Sequence, residues 1–185
     1  PKTQAEYKEF VKKFPVRQLY ENGPYQIFEF DKKVYRKEVY IPDSIVKDDL
    51  MDTISKSMVS YQSVFIDRDT CKKNQFVSDF CSNTYNSPSA GINVKKNNPV
   101  SYTINIKQTG NKSPFLLVFQ NSFHKDWKLS FNPGQPISSD KHFLDNGYAN
   151  AWIISPEEQK GRNDYTLYLN LETQRYFWYG LWVTG

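Results

Sequence analysis

The segment VSYTINIK, residues 100–107, constrains the fold more than any other. It alternates strictly, so Val100, Tyr102, Ile104 and Ile106 share one face of a strand, with polar side chains on the other. A helix cannot gather that pattern on one side. PFLLVFQN follows at 114–121, an apolar run suited to a central strand buried on both faces. WKLSF, YANAWII and YTLYLNL predict further short strands, separated by NPGQP and PEEQKGRND turns. The final run, YFWYGLWV, predicts a closing strand.

The first half is less regular. TQAEYKEFVKKF predicts an amphipathic helix, with Thr3 and Glu6 at capping-box spacing and Tyr7, Phe10, Val11 and Phe14 on one stripe up to Pro15. VRQLY and YQIFEF flank the turn signal Asn22-Gly23, and VYRKEVYI predicts a third strand. After Pro42, Asp43 or Ser44 is placed to cap a short helix through Met58, with Ile45, Val46, Leu50, Met51 and Ile54 on one side. VSYQSVFID predicts another strand, and residues 68–98 read as a polar, irregular loop. The fold expected is mostly β, a sandwich of at least seven strands with one or two short helices in the N-terminal part. Residues 1–98 form its less distinct portion and 99–185 its clearer one.

Composition narrows the function classes. With 185 residues, the chain buries a core without needing a metal. The 24 basic residues are offset by 20 acidic ones for a net charge of +4, and they fall in scattered pairs such as Lys32-Lys33 and Lys95-Lys96. A nucleic-acid footprint concentrates charge on one face, so no nucleic-acid partner is expected. No apolar run reaches the roughly 20 residues of a membrane span. The chain starts at Pro1 and stops after YFWYGLWVTG, and both ends read as cuts in a longer chain.

The two cysteines, Cys71 and Cys81, bracket CKKNQFVSDFC and belong to no CxxC pair. Zinc would require two more ligands, and His124 and His142 lie far along the chain, so no metal site is expected. A local disulfide closing the loop is the favoured reading, with an oxidising compartment as its corollary, and two free thiols are the alternative. No GxSxG, HExxH, P-loop or GxGxxG is present, no spacing singles out a carboxylate pair, and no catalytic residue or cofactor is expected.

Two short segments crowd the chemistry of carbohydrate recognition, which pairs flat aromatic faces with short polar groups. SFHKDW carries His124, Asp126 and Trp127; HFLDNGYANAW carries His142, Asn146, Tyr148, Asn150 and Trp152. Together these are the candidate ligand-binding residues. The competing reading makes Asn146-Gly147 a tight turn, both Trp core anchors and the His structural.

These segments also carry a resemblance. From residue 99 onward the chain resembles the C-terminal extracytoplasmic β-sandwich of YfhO-like and other GT-C-like multi-pass bacterial membrane proteins, which are membrane glycosyltransferase-like. Ser122, Phe123, His124 and Trp127 fall on one motif of that family. His142, Asn146, Gly147, Tyr148, Asn150 and Trp152 fall on a second, and Gln174, Gly180 and Leu181 on a third. The Pro-Gly that the family places before the Trp is Lys125-Asp126 here. The resemblance covers about half the chain. It implies a jelly roll of the galactose-binding type on the extracytoplasmic face of the cell membrane. It also implies a glycan or lipid-linked sugar as partner, and a membrane segment following the C-terminus, with Trp178, Tyr179 and Trp182 near the headgroups. The function expected is that of a non-catalytic accessory domain binding or guiding a cell-envelope glycan. The rivals are a structural or interaction domain docking on its own membrane portion or a partner protein, and an orphan hydrolase.

Overall fold

A computed structural model describes residues 16–23, 25–30, 37–48, 63–109, 113–132, 134–173 and 182. The helix expected over 3–14 lies outside them, as does the closing strand over 176–183 apart from Trp182. The chain is mostly β and divides into two compact units, Pro1–Lys37 and Glu38–Gly185.

In the first unit, β1 (Val16–Asn22) and β2 (Tyr25–Phe30) form the antiparallel hairpin expected around Asn22-Gly23. Gly23 turns the chain at φ +58°, a conformation that costs glycine little.

The second unit holds the rest. Its described elements run β3 (Val39–Tyr40), β4 (Ser44–Asp48), β5 (Ser63–Asp67), α1 (Arg68–Cys71), α2 (Gln75–Ser82), β6 (Ser89–Asn98), β7 (Ser101–Thr109) and β8 (Phe115–Phe119). They continue with β9 (Trp127–Asn132), β10 (Gln135–Pro136), a 3-10 turn (Ser139–Lys141), β11 (His142–Asp145), β12 (Ala149–Ile154), α3 (Pro156–Gln159) and β13 (Asp164–Leu171). A five-stranded antiparallel sheet has the order β10-β9-β13-β7-β6, and a four-stranded antiparallel sheet the order β11-β12-β8-β3. Residues 89–98 and 101–109 are joined directly, because β6 pairs with β7 along its length.

The two sheets pack face to face. Tyr102, Ile104 and Ile106 of β7 and Leu167 and Leu169 of β13 meet Phe115, Leu117 and Phe119 of β8 and Trp152 and Ile154 of β12. The alternation in β7 thus marks a core face, as its sequence requires. The intervening residues of β8, Leu116 and Val118, point the other way and join a second core with Phe143, Ala149, Ala151 and Ile153. That core is completed by Val64 and Ile66 of β5 and Val77 of α2. Both faces of the four-stranded sheet are therefore covered, which is why every side chain of β8 is buried and why its sequence is continuously apolar.

The covering layer departs from expectation twice. Ser44–Asp48 is a strand, parallel to β5, rather than the start of a helix. Adjacent Ile45 and Val46 are both β-branched, which favours extended backbone; residues 49–58 lie outside the described set. Residues 68–98 are not an irregular loop but α1, α2 and β6. In α2, Val77, Phe80 and Cys81 occupy one face at i, i+3 and i+4 and pack on the second core. Asn74 caps the helix, its Oδ1 accepting from the Val77 N–H at 3.0 Å. In β6, Ala90, Ile92 and Val94 alternate onto the first core. The expected disulfide is present: Cys71 and Cys81, with Cα atoms 5.9 Å apart, join α1 to α2.

Candidate functional site

The structure brings SFHKDW and HFLDNGYANAW together. The contact is made by Asn150, which is fully buried in β12. Its Oδ1 accepts from the His124 backbone N–H at 3.2 Å and from His142 Nε2 at 3.1 Å. Its Nδ2 donates to the carbonyls of Asn121 and Ser122 at 2.9 and 3.2 Å. An amide oxygen only accepts, so His142 carries its proton on Nε2. Phe123 N–H donates to the Tyr148 carbonyl at 2.6 Å, adding a main-chain tie between the segments.

His142 is buried between Phe123, whose ring centroid lies 5.0 Å away, and Trp152, on which it stacks at 4.3 Å. Burial pushes its imidazole down to about 4, with lesser contributions from the positive charges of Lys128 and Lys73, against the opposing Asn150 bond. The ring is accordingly neutral at physiological pH.

This changes the roles expected of these residues. Trp127 is 4% exposed and packs edge-on against Phe119 at 4.8 Å; Trp152 is 1% exposed. Neither indole offers a face to a ligand. Asn150 has no amide capacity left for a sugar hydroxyl, and His142 is enclosed. Asn146 and Gly147, at φ +51° and +74°, are the central residues of the Asp145–Tyr148 turn that joins β11 to β12. Asn146 also docks that hairpin on β5: its N–H donates to the Phe65 carbonyl and its Oδ1 accepts from the Phe65 N–H, both at 3.0 Å. At the surface of the junction remain Tyr148, 50% exposed, and His124, which sits 3.7 Å from the half-buried Asp126 and whose Nδ1 accepts from the Asp126 N–H. The pairing of the segments is real, and most of its chemistry is consumed in making it.

A different surface has the open character that the junction lacks. A cleft of about 450 Å3 runs beside α2, lined by Phe76, Asp79 and Phe80, by the 83–86 loop, and by Lys141 and Glu157. Phe76 is 51% exposed, the most exposed ring of the described second-unit residues apart from Trp182. Phe80 and Tyr85 meet edge to face at 5.9 Å. The Tyr85 hydroxyl donates to the Pro42 carbonyl at 2.9 Å, and burial pushes its ionisation far above the ordinary range. Ile153 of β12 also lines the cleft, so an apolar surface lies beneath the polar rim.

The wall is held on three sides. The disulfide fixes α2 to α1. Lys47 of β4 donates to the carbonyls of Cys81 and Asn83 at the C-terminal end of α2, where a cation suits the helix dipole. Asn74 Nδ2 donates to the Asp140 carbonyl at 2.8 Å, tying the helix start to the 3-10 turn. The α2 side of the cleft, from Phe76 to Asn86, falls in the stretch read from sequence as a loop. The signal that could have found them is the Asn74 cap followed by Phe76, Val77 and Phe80, a helix with one ring turned in and one turned out.

The chain matches no protein-family model, and neither a curated protein nor a solved structure matches it. Among the described residues no group of three or more His, Cys, Asp or Glu side chains gathers as a metal site requires. No helix among them is long and apolar enough to cross a membrane.

Proposed function

We propose that this domain is a non-catalytic, extracytoplasmic carbohydrate-binding accessory domain of a membrane glycosyltransferase-like protein, and that the α2 cleft holds the glycan. The observation that carries the reading is the cleft itself: an exposed Phe76 ring beside carboxylate, amide and hydroxyl side chains, over an apolar base. Sugars present apolar ring faces and a rim of hydroxyls, and this is the surface they require. The disulfide is compatible with an oxidising, extracytoplasmic compartment. The resemblance of residues 122–152 to YfhO-like domains supports the membrane-bound parent.

The finer fold assignment belongs to the same proposal. The chain passes from one sheet to the other between β7 and β8, β8 and β9, β10 and β11, and β12 and β13. That repeated crossing is the habit of a jelly roll of the galactose-binding type.

The second reading, a docking domain with no sugar site, draws on the junction, where Asn150, His142 and both Trp are spent on packing. A glycan array probed with the domain separates the two. Retention on a defined set of cell-envelope oligosaccharides supports the carbohydrate reading. Uniform absence of binding by correctly folded protein would leave docking as the function.

A further inference from the structure

We infer that the cleft selects an amine-bearing sugar over a neutral or acidic one; this rests on the carbohydrate reading above and names its ligand class. Charge around Phe76 is unevenly paired. Lys141, the cation of the cleft, is already neutralised. Its Nζ lies 3.1 Å from Glu158 Oε1 and donates to Ser155 Oγ at 2.9 Å, and the side chain is buried. Two carboxylates remain on the rim, Asp79 on α2 and Glu157 on α3, both exposed. Asp79 accepts from the uncharged Gln75 amide at 2.7 Å. Among the described residues no cation pairs with either carboxylate.

The cleft rim therefore presents two carboxylates without an ion-pair partner among the described residues. Such a field repels uronate and phosphate groups and raises the local concentration of an ammonium. The Lys141 ammonium lies over Phe76, 5.3 Å from its centroid, and already engages the quadrupole of that ring, so the preference comes from the two carboxylates. An amino sugar without its N-acetyl group, protonated below the pKa of its amine, satisfies it. It sets its ring face on Phe76 and its ammonium near Asp79 or Glu157.

The test is calorimetric titration of the intact chain with three tetramers: β-1,4-linked glucosamine, its N-acetylated counterpart and galacturonate. The pH is held below the pKa of the glucosamine amine, at low and at high salt. The glucosamine tetramer should bind roughly five-fold tighter than the N-acetylated one, the size expected from two partly screened surface ion pairs. The advantage should shrink at high salt. The double variant Asp79→Asn/Glu157→Gln, with both changes on exposed side chains, should abolish it, so that the two glucosamine forms bind with equal affinity. Equal affinity for the two glucosamine forms, or tighter binding of galacturonate, overturns the charge inference and leaves the carbohydrate reading standing. No heat with any of the three overturns the amine preference, and the array decides whether the carbohydrate reading falls with it.

Discussion

The imidazole of His142 lies flat against the indole of Trp152, the ring planes 4° apart, while its Nε2–H is donated to Asn150. This stack sits where the four-stranded sheet meets the 121–127 segment, and it is the most pH-sensitive contact identified. In the unfolded chain the imidazole titrates near 6.5; in the folded protein it is held down to about 4. Between those values the unfolded state binds the extra proton, so stability is full above pH 6.5 and is lost progressively as the pH falls towards 4. The loss should reach about 2–3 kcal/mol. Thermal melts from pH 7 to pH 4 measure it. His142→Gln, which retains a donor for Asn150, should melt lower at pH 7 but show a flatter decline on acidification. A decline as steep as that of the native protein would assign the acid sensitivity elsewhere.

Asn150 joins four partners through one side chain. Asn150→Ala leaves the Asn121 and Ser122 carbonyls, the His124 N–H and His142 Nε2 without it. Buried groups left unpaired cost about 1–3 kcal/mol each where water cannot reach them. The expected loss is about 2–4 kcal/mol by denaturant melt, since water will reach some of them. A loss below about 0.5 kcal/mol would mean the junction is not held by this amide.

At the hairpin turn, Asn146→Ala removes the side-chain bonds to the Phe65 N–H and to the Asp145 carboxylate, and places a poorly suited residue at φ +51°. A destabilisation of about 2 kcal/mol is expected. Asn146→Gly restores the backbone freedom but not the bonds, so it should recover only part of the loss. Full recovery with Gly would show that the Asn146 side-chain bonds contribute nothing.

The disulfide is tested in two ways. Intact mass should rise by two hydrogens on reduction, and alkylation of unreduced, unfolded protein should find no thiol. The Cys71→Ser/Cys81→Ser variant should be less stable by about 2–3 kcal/mol, from the loop entropy that the bond removes in the unfolded chain. Because the bond anchors α2, the variant should also expose the α2 amides to faster hydrogen exchange than those of β7 or β13.

Much of the architecture was legible because one physical signal dominated it. A half-buried strand must alternate, and 100–107 does; a strand covered on both sides must be apolar throughout, and 115–119 is. The covering layer was harder. Ile45, Val46 and Leu50 fit a helical stripe as well as a strand, and only pairing with β5 decides for the strand at Ser44–Asp48. In α2 the eight residues between the Asn74 cap and Asn83 carry too few apolar positions to stand out from a polar loop.

The site was legible in part for a different reason. That residues 122–127 and 142–152 meet followed from the crowding of their side-chain types. Sequence did not distinguish rings that pack from rings that bind: Trp152 beside an Asn reads alike whether indole and amide face a core or a ligand. Burial separates the two cases, and it moves the candidate site from Trp127 and Trp152 to Phe76.

The central claim is that a glycan occupies the α2 cleft and not the 124–152 junction. The most direct measurement is a calorimetric comparison of Phe76→Ala and Tyr148→Ala, both exposed rings whose loss spares the core. It uses whichever oligosaccharide the array returns, with thermal melts in parallel. Phe76→Ala should weaken binding about ten-fold or more, the effect of losing one good aromatic anchor, and Tyr148→Ala should leave affinity unchanged. Unaltered binding by Phe76→Ala, together with weakened binding by an equally stable Tyr148→Ala, would contradict the account and return the site to the junction.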